Sequence, residues 1–269
     1  MTGSLTPAQC AGFARDGYVS PVVALTPAEA QGLLDTISSF ETTTGLVAGD
    51  VIRMKGHLKL LALYRLVTHP AILDAVESLL GPDILCWGSS LFVKEPHDPG
   101  FIAWHQDSIT WGLEPEDVVS AWIALAPSTL ENGPMCVVPG SHRGPRLPHH
   151  VPPEGNSAEN LIVTRVVEPI DESLAVPLTL RQGEMSLHHV NMLHGSAPNR
   201  SDMRRCGFAI RYVAPHVRQA GDAATALRAR GIDRFGYFAP DPIPQVDMDP
   251  SIVAVVDAPL GGPPPWARR

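Results

Sequence analysis

Long apolar runs, an excess of cations and paired cysteines are all missing from this 269-residue chain. Its hydrophobic stretches fall well short of the ~18 residues that span a bilayer, which argues against a membrane anchor. Lys and Arg number 20 against 28 for Asp and Glu, a net charge of −8 that disfavours nucleic acid or an anionic membrane as partner. A small molecule is the natural ligand class. Cys10, Cys86, Cys136 and Cys206 form no C-x-x-C pair, and no basic segment leads into an apolar one near residue 1; a reducing cytoplasm is the expected setting. Charged residues make up only 18%, below the usual ~25%, so long solvated helices should not dominate. Proline, in contrast, is abundant. Its 27 residues are about twice the usual ~5% share, and the 44% hydrophobic content excludes a disordered chain.

Residues 1–81 read as a mostly helical flank. Thr6-Pro7 opens a helix that should stop at Gly17. Thr26-Pro27-Ala28-Glu29 carries an N-cap hydroxyl, a proline at the first helical position and a glutamate placed to close a capping box, predicting a helix to about Glu41. A third runs from His69-Pro70 to Gly81. From Pro82 the texture changes to short runs of β-branched and aromatic residues between turn formers. Strands are expected near 84–94, 101–107, 118–125, 135–138, 161–168, 176–180, 184–189 and 204–213, which predicts a sandwich or double-sheet jelly roll over 82–213. The polar, proline-rich stretch 139–160 is too long for a hairpin and reads as a lid. Residues 214–269 should wrap the surface, with 261–265 loose. No repeat or linker divides the chain, so 1–269 reads as a single domain.

The chemistry begins at Trp104-His105-Gln106-Asp107. On a strand, a period of two places the imidazole of His105 and the carboxylate of Asp107 on one face, able to grip one cation. One more histidine would complete the two-histidine, one-carboxylate set that leaves open positions on non-haem iron(II). His188, His189 and His194 are the candidates.

The stretch Leu193-His194-Gly195-Ser196-Ala197-Pro198-Asn199, with Arg205 eleven residues past His194 and the H-x-D motif 89 residues before it, resembles the phytanoyl-CoA dioxygenase family, in its bacterial branch near ectoine hydroxylase and the non-haem iron halogenases. The likeness extends through Phe13…Asp16-Gly17-Tyr18, Phe92-Val93-Lys94, Glu131-Asn132-Gly133, Pro139-Gly140-Ser141-His142 and Arg205 to Tyr212. It implies a mainly β fold with flanking helices around a double-stranded β-helix (jelly roll, cupin-like) core. It further implies iron(II) on His105, Asp107 and His194, with 2-oxoglutarate and O2 as cosubstrates. The implied reaction is hydroxylation of an unactivated C–H, with 2-oxoglutarate leaving as succinate and CO2.

The same resemblance assigns the distal carboxylate of 2-oxoglutarate to Arg205, whose fork suits bidentate pairing, with Ser196 assisting and Trp122 lining that pocket. Alternation sends Arg204 to the opposite face. Lys94 should reach cosubstrate or substrate. Trp111, Arg211 and Asn132 are the expected substrate contacts; Arg205, Gly207, Ala209 and Arg211 share a face, so two small residues leave room between two cations. His142 reads as a turn residue near the pocket, and His188 and His189 as neighbours or core. Halogenases of this fold replace the metal carboxylate by Gly or Ala, whereas Asp107 is present here. A non-catalytic jelly-roll binding module has no use for Arg205 beside the triad. The expected substrate is a small polar or amino-acid-like molecule; a carrier-tethered, acyl-CoA or terpenoid intermediate is the alternative.

Overall fold

Helix boundaries follow their caps. In the computed structural model, which describes residues 4–150, 164–220 and 224–257, α1 (Pro7–Asp16) and α2 (Pro27–Thr44) each start with a complete capping box, Thr6 with Gln9 and Thr26 with Glu29. Gly17 (φ 82°) and Gly45 (φ 71°) end them in the left-handed region. Helix α2 therefore passes the expected Glu41 and continues to Thr44. Helix α3 (Pro70–Leu80) buries Ile72, Leu73, Ala75 and Val76, each large side chain contributing roughly 1.5–3 kcal/mol. No helix among the described residues is long and apolar enough to cross a membrane.

Ten strands build the core: β1 (Tyr18–Val23), β2 (Ile84–Lys94), β3 (Ile102–His105), β4 (Val118–Ala124), β5 (Met135–Val137), β6 (Val176–Leu178), β7 (Glu184–His189), β8 (His194–Ser196), β9 (Arg205–Val213) and β10 (Thr225–Arg230). The larger sheet runs β1-β7-β4-β9-β2-β10, extended by Ala239–Pro240, and the smaller runs β3-β8-β5-β6. Two antiparallel sheets facing one another make the double-stranded β-helix. Alternation divides the larger sheet's side chains cleanly: Val119, Ala121, Ile123, Cys206, Phe208, Ile210 and Tyr212 pack with Ile37, Phe40, Ile72 and Val76 under the helices. Trp122, Ala124 and Ala209 turn inward and meet Met135, Val137 and Leu178 of the smaller sheet.

Several elements depart from expectation. Strand β1 sits inside the flank that reads as helical; Pro21 interrupts its run, and the pairing with β7 shifts register between Val19 and Val22, an irregularity that an edge strand tolerates. Strand β10, of sequence TALRAR, lacks β-branched residues after Thr225 and pairs with β2 through Leu227, Arg228 and Arg230. The strand expected over 101–107 stops at His105. Of the strand expected near 161–168, residues 161–163 lie outside the described residues, and the described part contains the short strand Arg165–Val166, which pairs with His149–His150. Residues 151–163, which include most of the second half of the expected lid, lie outside the described residues, as does 261–265.

The C-terminal stretch returns to the helical flank. Met248 N–H donates to the Lys59 carbonyl (2.7 Å), and the Lys59 ammonium bonds Asp257 (2.6 Å). Asp241 joins a buried cluster: its Oδ1 accepts from Lys55 Nζ (2.5 Å) and its Oδ2 lies 3.3 Å from His57 Nε2. His57 Nδ1 meets Ser89 Oγ at 2.7 Å. Neutral His57 protonated at Nε2 satisfies both ring partners, donating to Asp241 and accepting from Ser89.

Candidate active site and metal centre

His105 closes β3 and His194 opens β8, and the two are direct cross-strand partners. Their rings lie 4.0 Å apart. The Nδ1–H of His105 donates to the Ala103 carbonyl (2.9 Å) and that of His194 to the Met192 carbonyl (2.9 Å), which fixes both tautomers and presents both Nε2 lone pairs inward. Asp107 arrives differently from expectation. It stands in helical conformation at the head of the Ser108–Trp111 turn, not on the strand, yet its Oδ1 is 3.4 Å from His105 Nε2. One donor atom from each of His105, Asp107 and His194 lies within 4.8 Å of the others. Such a set suits a divalent cation and leaves coordination positions free.

Electrostatics favour ligation. Burial pushes the Asp107 pKa up, but the facing imidazoles of His194, His105 and His188 outweigh it and hold it well below the usual carboxylate value. Burial, reinforced by the facing His105 imidazole, pushes the His194 pKa well down, keeping that ring neutral as a ligand must be. His188, on β7, brings Nε2 to 3.8 Å from Asp107 Oδ2 and its ring to 4.9 Å from that of His194. It borders the centre as a neighbour. His189 points elsewhere, its ring packing on Phe13 and His142.

A cavity of about 240 Å³ opens beside these donors. Arg205 lines it, 2% exposed, with its guanidinium 4.8 Å above the Trp122 ring. Its Nε has no hydrogen-bond partner among the described residues, and burial lowers its pKa to about 10. Arg204, as alternation requires, faces outward and pairs with Glu41 (2.7 and 2.8 Å). Ser196, Trp111 and Arg211 also line the cavity. The space at Gly207 is not open: a Cβ there would stand 1.9 Å from the Trp122 ring, so the indole occupies the room that was expected to remain between the two arginines.

Two expected contacts lie elsewhere. Lys94 is absent from the cavity wall; its ammonium donates to Ser196 Oγ (2.7 Å) and to the Ala197 carbonyl, steadying Ser196 from behind. Burial, then the Arg205 charge, lowers its pKa to about 7. Asn132 forms a turn: Oδ1 accepts from Thr129 N–H and Nδ2 donates to the Pro127 carbonyl, both at 2.8 Å. His142 likewise belongs to a turn, 3.3 Å from the Ala14 carbonyl.

One positioning residue escaped the sequence reading. Gln106, between two donors, spends its main-chain N–H on His149 Nε2 (2.9 Å), its amide nitrogen on the Asn191 carbonyl (2.9 Å) and its amide oxygen on Leu147 N–H (2.8 Å). Its place as the variable residue of H-x-D gave no signal.

Comparison with known proteins agrees with this geometry. The profile of the phytanoyl-CoA dioxygenase (PhyH) family matches residues 13–207. Over 161 residues the chain is 33% identical to the probable alpha-ketoglutarate-dependent hypophosphite dioxygenase of Stutzerimonas stutzeri, covering 59% of this chain and 55% of that protein. Peroxisomal phytanoyl-CoA dioxygenase of Bos taurus is 31% identical over 156 residues, 55% of this chain and 46% of the other. The chain thus spans about half the length of these curated relatives. Apo ThoJ, a non-heme monooxygenase, is similar in structure with a TM-score of 0.79 and 37% identity, covering 91% of this chain and 92% of that one. A ThoJ–nickel complex gives 0.75 and 35% at the same coverage. With the family profile spanning most of the chain and the jelly roll carrying its donors in place, this protein belongs to the phytanoyl-CoA dioxygenase (PhyH) family.

Proposed function

We propose that the chain is an iron(II)/2-oxoglutarate-dependent hydroxylase of a small polar or amino-acid-like molecule. One observation carries the reading: a His/Asp/His donor set and the buried Arg205 guanidinium, whose Nε has no hydrogen-bond partner among the described residues, line one cavity. His105, Asp107 and His194 would hold the metal. Iron(II) with 2-oxoglutarate and O2 supplies the oxidation, turning C–H into C–OH as 2-oxoglutarate becomes succinate and CO2. The residues bind and orient. Arg205 takes the distal carboxylate of the cosubstrate in its fork, Ser196 adds a hydroxyl fixed by Lys94, and Trp122 supports the guanidinium face. Trp111 and Arg211 face the substrate. Asp107 completes three protein ligands, which favours hydroxylation over halide transfer. The chain acts as one domain, since Asp241 and Asp257 bond residues of the N-terminal flank. Four free cysteines fit a reducing cytoplasm.

Anaerobic titration with iron(II) and 2-oxoglutarate tests this. One iron per chain and a weak visible charge-transfer band are expected, with His105→Ala and His194→Ala abolishing the band. A full band in His194→Ala, with loss in His189→Ala, would refute the ligand assignment. In turnover with its substrate, oxygen-18 from O2 should enter the product; halogenated product in excess chloride would overturn the hydroxylase reading.

A further inference from the structure

Two buried or half-buried cations, Arg205 and Arg211, line the cavity and a third, Lys94, stands behind its wall; two of the three have a use. Lys94 braces Ser196, and Arg205 serves the cosubstrate. Arg211 is left. Among the described residues no carboxylate lies within salt-bridge distance of its guanidinium, whereas Arg146, Arg181, Arg204 and Arg230 each pair with a glutamate. Nη1 donates to Ser90 Oγ (2.6 Å), which anchors one arm of the fork. The Trp111 ring, 5.4 Å away, and the Phe92 ring, 5.8 Å away, flank the cation. Trp111 is itself steadied by Trp87, ring to ring at 5.3 Å. A guanidinium held by one hydrogen bond and two rings is oriented before any ligand arrives. Asp107 is the acid whose field reaches it, and a metal bound there would absorb that charge, leaving Arg211 uncompensated.

The geometry points to a substrate that bears a carboxylate, held by Arg211, with its apolar body along Trp111 and Phe92 and its reacting C–H toward His105, Asp107 and His194. This rests on the hydroxylase reading above. The two arginines serve different ends of the cavity: five strand residues lie between them, and their Cα atoms are roughly 20 Å apart. The Trp122 ring, seated where Gly207 lacks a side chain, and Ala209 stand between. An anionic handle at one end and an apolar wall alongside fix which carbon meets the metal.

The test uses protein loaded with zinc(II) and 2-oxoglutarate, which does not turn over, titrated calorimetrically with hexanoate, 3-phenylpropionate and L-proline, each against its primary amide. The acids should bind about tenfold or more tightly than their amides. Arg211→Gln should erase that difference and Arg211→Lys should keep part of it, with 2-oxoglutarate affinity close to wild type in both. Equal binding of acid and amide, no binding of any acid, or a preference that survives Arg211→Gln overturns the inference. So does a loss of 2-oxoglutarate affinity in Arg211→Gln as large as that in Arg205→Lys. Failure of the wild-type protein to bind 2-oxoglutarate with zinc(II) is a different result, and removes the hydroxylase reading together with this one.

Discussion

Gly207 lacks a side chain because Trp122 has a large one. The indole lies against its Cα and carries the Arg205 guanidinium on its face. Gly207→Ala should therefore displace the ring, weaken 2-oxoglutarate binding and destabilise the fold by about 1–3 kcal/mol through overpacking; calorimetry and urea unfolding measure the two effects. The neighbouring arginines separate by face. Arg205→Lys keeps the charge but loses the planar fork and should weaken 2-oxoglutarate binding about tenfold or more. Arg204→Lys, out beside Glu41, should leave that affinity near wild type. Equal losses would place the cosubstrate elsewhere.

At the scale of elements, the loop bearing Asp107 is held through Gln106, whose three hydrogen bonds reach residues 147, 149 and 191. Gln106→Leu keeps the volume and removes two of them. Metal affinity should fall about 10- to 100-fold, as when outer partners of a metal ligand are lost, while a merely structural role would lower the melting temperature and leave affinity in the folded protein intact. Much of this architecture is legible in the sequence. Thr6-Pro7 and Gly17 bracket α1, a capping box at Thr26 announces α2, alternation separates Arg205 from Arg204, and H-x-D with H-G-S marks the donors. Other features have no local signature. Strand β1 is disguised by Pro21, β10 by its alanines and arginines, and the turned backbone at Asp107 by the two-residue spacing that a strand would share. The duties of Lys94 and Asn132 depend on what lies across from them, which only the fold decides.

Across the whole molecule, the Lys55–Asp241–His57–Ser89 cluster fastens the C-terminal stretch to β2. Removing one member of a buried charged group strands the rest, so Asp241→Ala should lower unfolding stability by about 3–5 kcal/mol. The cluster also sets an acid limit. Burial, against the pull of Asp241, lowers the His57 pKa from 6.5, so the unfolded chain takes up this proton first and stability falls as pH drops below that value. Burial acts to raise the Asp241 pKa, but the His57 hydrogen bond and the Lys55 charge outweigh it and bring it under 3.8; its contribution is present above that value and is lost as pH falls through the lower, folded one. Both signs agree. Urea midpoints measured from neutral pH downward should fall more steeply in the wild type than in a His57→Gln, Asp241→Asn double variant; parallel curves would remove the cluster as the cause.

Strand β9 carries Arg205 and Arg211 and is bonded along its length to β2 on one side and β4 on the other. It works as a ruler whose two marks cannot drift, because sliding it by one residue would turn every side chain to the wrong face. The opposite wall is cut from three- and four-residue strands, with Ile102, Met135 and Ser196 at the cavity. New substrate lengths should therefore be reached by recutting that short-stranded wall, and a laboratory selection for altered specificity should collect its substitutions there while both marks on the ruler stay put.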